Sequence, residues 1–109
     1  MRISTGKGKH QVWLEKKSIG PDYLFILGGG EQTHIGGIVI CELGQPVKTI
    51  RLGNHYDYQV LKPIAETAYH HYQTTIIAVG GIHIDHATKE DINIILANCN
   101  ELTNLIKKQ

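Results

Sequence analysis

Five glycines in ten residues, Gly28-Gly29-Gly30-Glu31-Gln32-Thr33-His34-Ile35-Gly36-Gly37, constrain this chain more than any other stretch. They separate two apolar runs, 23–27 and 38–41, that read as neighbouring strands. Glycine permits backbone angles and close approaches that side chains forbid. A plain hairpin needs only a two-residue turn such as Asn-Gly. This connection is longer and carries a histidine, the side chain best suited to exchange protons or meet a ligand near neutral pH. It reads as a place where something binds, with a flexible hairpin loop as the plainer alternative. The spacing fits neither familiar phosphate loop. A G-x-G-x-x-G fingerprint starting at Gly28 would need glycine at Thr33, and no Gly-Lys-Ser/Thr is present.

Around this stretch the patterning predicts strands at 10–16, 23–27, 35–42 and 47–52, the last alternating as a half-exposed or edge strand does. Gly20-Pro21-Asp22 and Gly44-Gln45-Pro46 supply turns. Val60, Leu61, Ile64, Ala65, Ala68 and Tyr72 then recur at helical spacing, predicting one helix over 57–72 with Asp57 as N-cap. Pro63 is tolerated in a first turn or kinks the helix. Residues 75–79 are β-branched and apolar on both faces, as in a central strand, and run on into 80–86. Thr88-Lys89-Glu90-Asp91 resembles a capping box, and Ile92, Ile95, Leu96, Cys99, Leu102 and Ile106 form the apolar stripe of a final helix. The expected fold is α+β, ββββαβα, a single domain over 1–109 with a mainly antiparallel sheet. Two helices cover one sheet face, yet three strands are apolar on both, so a homodimer packing sheet against sheet is expected.

The 109 residues allow one modest core, and a net charge of +1 leaves no electrostatic footprint for nucleic acid. No apolar run approaches the ~20 residues of a membrane helix, and a cytoplasmic setting is the default expectation. Cys41 and Cys99 lack metal spacing and read as small buried hydrophobes. Seven histidines are many for this length. His83-Ile84-Asp85-His86 suggests a metal cluster, but a strand would point His83 and Asp85 one way and His86 the other, so no metal is expected there. His70 and His71 read as a solvated helix end, and His10 as surface. His34, His55 and His83 each sit where a strand meets a loop or helix, and such junctions can converge at one end of a sheet. Capping loop carbonyls is their alternative role. The start of the last helix offers N–H groups to a phosphate or carboxylate, with Lys89 in its first turn suited to an anion. Catalysis finds little support: no G-x-S-x-G and no recognisable acid–base pair occur.

Three segments carry a resemblance: residues 29–37, Leu52-Gly53-Asn54-His55, and Gly81-Ile82-His83-Ile84-Asp85-His86-Ala87-Thr88-Lys89-Glu90-Asp91-Ile92. Together they resemble the small D subunit accompanying hydroxyarylic acid decarboxylases that act on gallate, vanillate or 4-hydroxybenzoate. Those enzymes use prenylated FMN, and the family is regarded as a prenylated-flavin chaperone similar in fold to the short, dimeric proteasome assembly chaperones. The resemblance spans about residues 10–106. It implies that His34, Gly36, His55, His83 and Asp85 belong to a flavin site. The chain departs from the pattern at Gly53-Asn54, where proline and glycine are expected, and at Gly37, where alanine is.

The expectation is therefore a non-catalytic protein that holds prenylated FMN, with unmodified FMN left open, for a decarboxylase apoenzyme. A cofactor-free assembly chaperone using an exposed sheet edge is the runner-up. A small histidine-based or metal-dependent enzyme comes third.

Overall fold

A computed structural model describes residues 1–109. Eight elements follow in order: β1 (Arg2–Thr5), β2 (Val12–Ile19), β3 (Asp22–Gly29), β4 (Gln32–Cys41), β5 (Lys48–Arg51), α1 (Tyr58–Tyr72), β6 (Ile76–His83) and α2 (Lys89–Ile106). A single 3-10 turn, Gly8–His10, joins β1 to β2. The α+β class, the mainly antiparallel sheet and both helices stand as expected, with one strand more than the sequence patterning predicts. That strand, β1, is four residues on the sheet edge, too short to show a period.

The strand order is β1-β2-β3-β6-β4-β5. The two runs flanking the glycine stretch are therefore not neighbours. β6 lies between them, parallel to β3 and antiparallel to β4. Its placement as a central strand agrees with its apolar, β-branched composition. β5 is an exposed edge strand, as its alternation predicts.

Side chains alternate across the sheet. Val12, Leu14, Phe25, Leu27, Val39, Cys41, Ile76 and Ala78 face the helices and are buried with Leu61, Ile64, Ala65 and Ala68 of α1 and Cys99, Leu102 and Ile106 of α2. The opposite face carries Leu24, Ile26, Ile38, Ile40, Ile77 and Val79, brought side by side by the register Leu24↔Ile77↔Ile40 and Ile26↔Val79↔Ile38. No element covers them, and they remain half-exposed.

The glycine stretch is mostly strand. β3 runs to Gly29 and β4 resumes at Gln32, leaving a tight connection at Gly30 and Glu31. Gly30 turns at φ +71°, and Gly30 N–H donates to the Gln11 carbonyl and Glu31 N–H to that of His83. Gly36 and Gly37 lie at a bulge, while Gly28 and Gly29 end β3 against Trp13 and the Gln11 backbone. Between the pairs Thr33↔Ile82 and Gly37↔Gly80, the three residues His34, Ile35 and Gly36 lie opposite Gly81 alone. Such an insertion bends the strand and re-aims its side chains.

Candidate functional site

The bulge turns His34 toward the end of the sheet where β4 begins, β6 ends and both helices start. A cavity of about 310 Å³ opens there, at the small end of ordinary ligand pockets. One wall is polar: His34, Asn54, His55, Asp57 and His83. The other is apolar: Val60, Ile82, Ile84, Ile92, Ile95 and Leu96. The stripe on α2 explains the second wall. Its C-terminal half, Cys99, Leu102 and Ile106, is core, while Ile92 and Leu96 are 49% and 44% exposed and face the cavity. An apolar stripe that half leaves the core has surface to offer a ligand.

The three junction histidines meet here. The His34 and His55 rings stand edge to face with centroids 4.5 Å apart, and those of His34 and His83 are 6.2 Å apart. Gly36 does not line the cavity. It lies beneath Asp57, whose carboxylate fills the space a Cβ on Gly36 would need. Gly81 does the same from β6: a Cβ there would sit 2.9 Å from both Asp57 Oδ2 and His34 Nε2. Two side chains can stand over the sheet because these two residues have none.

Asp85 and Lys89 lie outside the cavity lining. β6 ends at His83 rather than running on to 86, so Asp85 lies in the turn that follows; it is exposed, and its Oδ1 pairs with His83 Nε2 at 2.8 Å. Its backbone N–H donates to Glu31 Oε1 at 2.6 Å, tying the turn after β6 to the one between β3 and β4. Lys89 opens α2 and is exposed. The anion at that helix end is the chain's own. Asp91 Oδ2 accepts from Thr88 N–H, Thr88 Oγ1 accepts from Asp91 N–H, and Asp91 Oδ1 pairs with His10 Nε2 at 2.8 Å. The Thr88 N–H, then the His10 ring, hold the Asp91 carboxyl far below the usual range. His10 is thus a clasp between the first turn of the chain and α2, not a free surface group.

Asp57 is the residue the sequence conceals. It stands at the N-cap position but adopts helical angles and makes no side-chain cap. Its Oδ1 accepts from Ile82 N–H at 3.0 Å, and its Oδ2 lies 3.3 Å from His34 Nε2. Both cysteines are buried. Desolvation pushes the Cys99 thiol up to about 12 and raises that of Cys41, which leaves no thiolate nucleophile near neutral pH.

Residues 6–109 match the model of the prenylated flavin chaperone LpdD-like domain. The chain belongs to that family. No curated protein matches it significantly. The match embraces every residue of the cavity and every core residue.

Proposed function

We propose that this protein is a non-catalytic carrier that holds prenylated FMN in the cavity between His34, His55 and His83 and the apolar start of α2, for delivery to a hydroxyarylic acid decarboxylase apoenzyme. The observation that carries the reading is the two-sided cavity. A flavin has ring carbonyls and nitrogens along one edge and a methylated, prenylated hydrocarbon edge opposite. One imidazole-lined wall and one isoleucine-rich wall suit that division. The imidazoles donate to or accept from the polar edge, while Ile82, Ile92 and Leu96 exclude water from the other. The prenylated flavin supplies decarboxylase chemistry only once it has left. The task here is to hold and release it. Asp85 and Lys89 stand near the rim and contribute only if the ligand extends past the lining.

Mixing the protein with prenylated FMN, and separately with FMN, tests the reading by absorbance and intact-complex mass. Loss of one hydrogen bond to a polar or charged acceptor costs about 1.5–3 kcal/mol, roughly ten- to a hundredfold in affinity. His34→Ala and His83→Ala should weaken binding by that amount, and His70→Ala, on the far end of α1, should not. Equal binding by all three would leave the histidines structural. The runner-up, a cofactor-free assembly chaperone, predicts no flavin complex at all.

The uncovered sheet face belongs to the same reading. We infer that a second copy covers it, because Leu24, Ile26, Ile38, Ile40, Ile77 and Val79 form one contiguous apolar patch and the chain has no element left to shield it.

A further inference from the structure

Three groups at the cavity are of metal-ligand type: His34 on β4, and His55 and Asp57 two residues apart on the turn between β5 and α1. One donor atom from each of His34, His55 and Asp57 lies within 4.8 Å of the others. Two ligands about 2.1 Å from one zinc-sized ion, at a tetrahedral angle, stand roughly 3.4 Å apart. His34 Nε2 and Asp57 Oδ2 are 3.3 Å apart. The molecule's other two His–Asp pairs, His10 with Asp91 and His83 with Asp85, close to 2.8 Å. This third pair keeps the span of two ligands on one ion.

The surroundings prepare the same arrangement. Ile82 N–H holds Asp57 Oδ1 and so fixes where Oδ2 points, as groups behind metal ligands do. Gly36 and Gly81 leave the room in which the pair stands. His55 is exposed on the turn between β5 and α1, outside any regular element, so its ring can close the remaining distance. His83 takes no part: the donor atoms that come together are those of His34, His55 and Asp57 alone.

We propose that His34, His55 and Asp57 bind one divalent transition-metal cation through two imidazole nitrogens and one carboxylate oxygen, with its open coordination position facing the cavity. Two imidazoles, one carboxylate and no thiolate suit Zn²⁺, Co²⁺ or Mn²⁺. A single carboxylate leaves the bound dication one positive charge in excess. The open position therefore favours an anionic oxygen, such as that of a phosphate, on whatever fills the cavity. The site stands independently of the flavin reading, because it is complete without it.

The test uses the metal alone. Metal-freed full-length protein is titrated with Zn²⁺ calorimetrically and with Co²⁺ by visible absorption, with no flavin present. The expected result is one ion per chain and the intense Co²⁺ bands of a four-coordinate site. His55→Ala, an exposed position whose loss should leave the fold intact, should weaken binding by at least about a hundredfold. Asp57→Asn, which keeps an acceptor for Ile82 N–H, should abolish it, while His70→Ala and His86→Ala should bind as wild type. Absence of binding, or equal affinity in wild type, His55→Ala and Asp57→Asn, overturns the proposal. Flavin binding measured separately is untouched by that failure.

Discussion

Asp57 does more for the site than any residue whose role is visible in the sequence. An aspartate just ahead of a helical pattern is read as a cap, and that rule hides it. Its position in the chain is at the cap, but its carboxylate serves Ile82 N–H and His34. The histidines were easier to find, because they sit at strand ends whatever the strand order. Removing the acceptor of a part-buried N–H costs about 1–3 kcal/mol. Asp57→Ala should therefore melt below wild type by that margin, and Asp57→Asn, retaining the acceptor, should lie close to wild type. Equal melting of the two variants would mean the Ile82 bond contributes nothing. Two adjacent glycines separate backbone need from side-chain need. Gly80 has φ +126°, and a Cβ there would strike the Leu27 backbone. Gly81 has no such angle, and its Cβ would meet only the Asp57 and His34 side chains among its nearest neighbours. Gly80→Ala should cost about 3 kcal/mol or more, and Gly81→Ala about 1 kcal/mol, in chemical denaturation. In Gly81→Ala the lost function should exceed the lost stability.

Among the elements, local pattern identified what depends on neighbours in the chain and failed where distant strands decide. The helix expected over 57–72 and found over Tyr58–Tyr72, and the capping box at Thr88, follow from spacing alone. The insertion of β6 between β3 and β4 does not, because which strands pair is set by packing across the whole sheet. The bulge at His34 was concealed for the same reason: it exists only relative to Gly81 on β6. Its glycines showed that something unusual happens there, and a loop was the nearest local explanation. The capping box yields a prediction with a definite sign. Asp91 has its carboxyl pKa lowered by the Thr88 N–H and by His10, so the unfolded chain binds its proton at a higher pH than the folded one. Its contribution is fully present above the ordinary carboxylate range near pH ~4 and fades as pH falls below it. Wild type should thus exceed Asp91→Asn in stability at neutral pH, and the gap should narrow only in strong acid. A gap that closes by pH ~6 would refute the assignment. Thr88→Ala, which removes the other half of the box, should cost about 1 kcal/mol.

At the scale of the molecule, the sheet has two apolar faces and one set of helices. The sequence makes this legible without the strand order, since both parities of 23–27 and 76–79 are apolar. What it left unread was how tightly the outer residues cluster: the registers align Leu24, Ile77 and Ile40 in one row, and Ile26, Val79 and Ile38 in the next. Polar residues sit at three of the four flanking positions, with Glu15 opposite Ile26, Lys17 opposite Leu24 and Lys48 opposite Ile40, while Ile50 opposite Ile38 extends the patch to the edge strand. A polar rim around an apolar centre is how a protein interface is organised. These six side chains are already half-buried in the single chain, so each gains only part of the about 1.5–3 kcal/mol of a full burial, and association must also offset lost freedom; the contiguity of the patch is what favours a dimer. Sedimentation should give twice the 12.1 kDa chain mass at micromolar concentration. Ile77→Lys is the discriminating variant, because Ile77 lies in the middle of its row, on the face away from the helices. A lysine there places an unpaired charge at the centre of the patch while leaving Ile76 and Ala78 in the core. The variant should sediment as a single chain and keep the secondary structure of the wild type. A wild type that is monomeric at this concentration would refute the dimer, and an Ile77→Lys that remains dimeric would place the interface elsewhere.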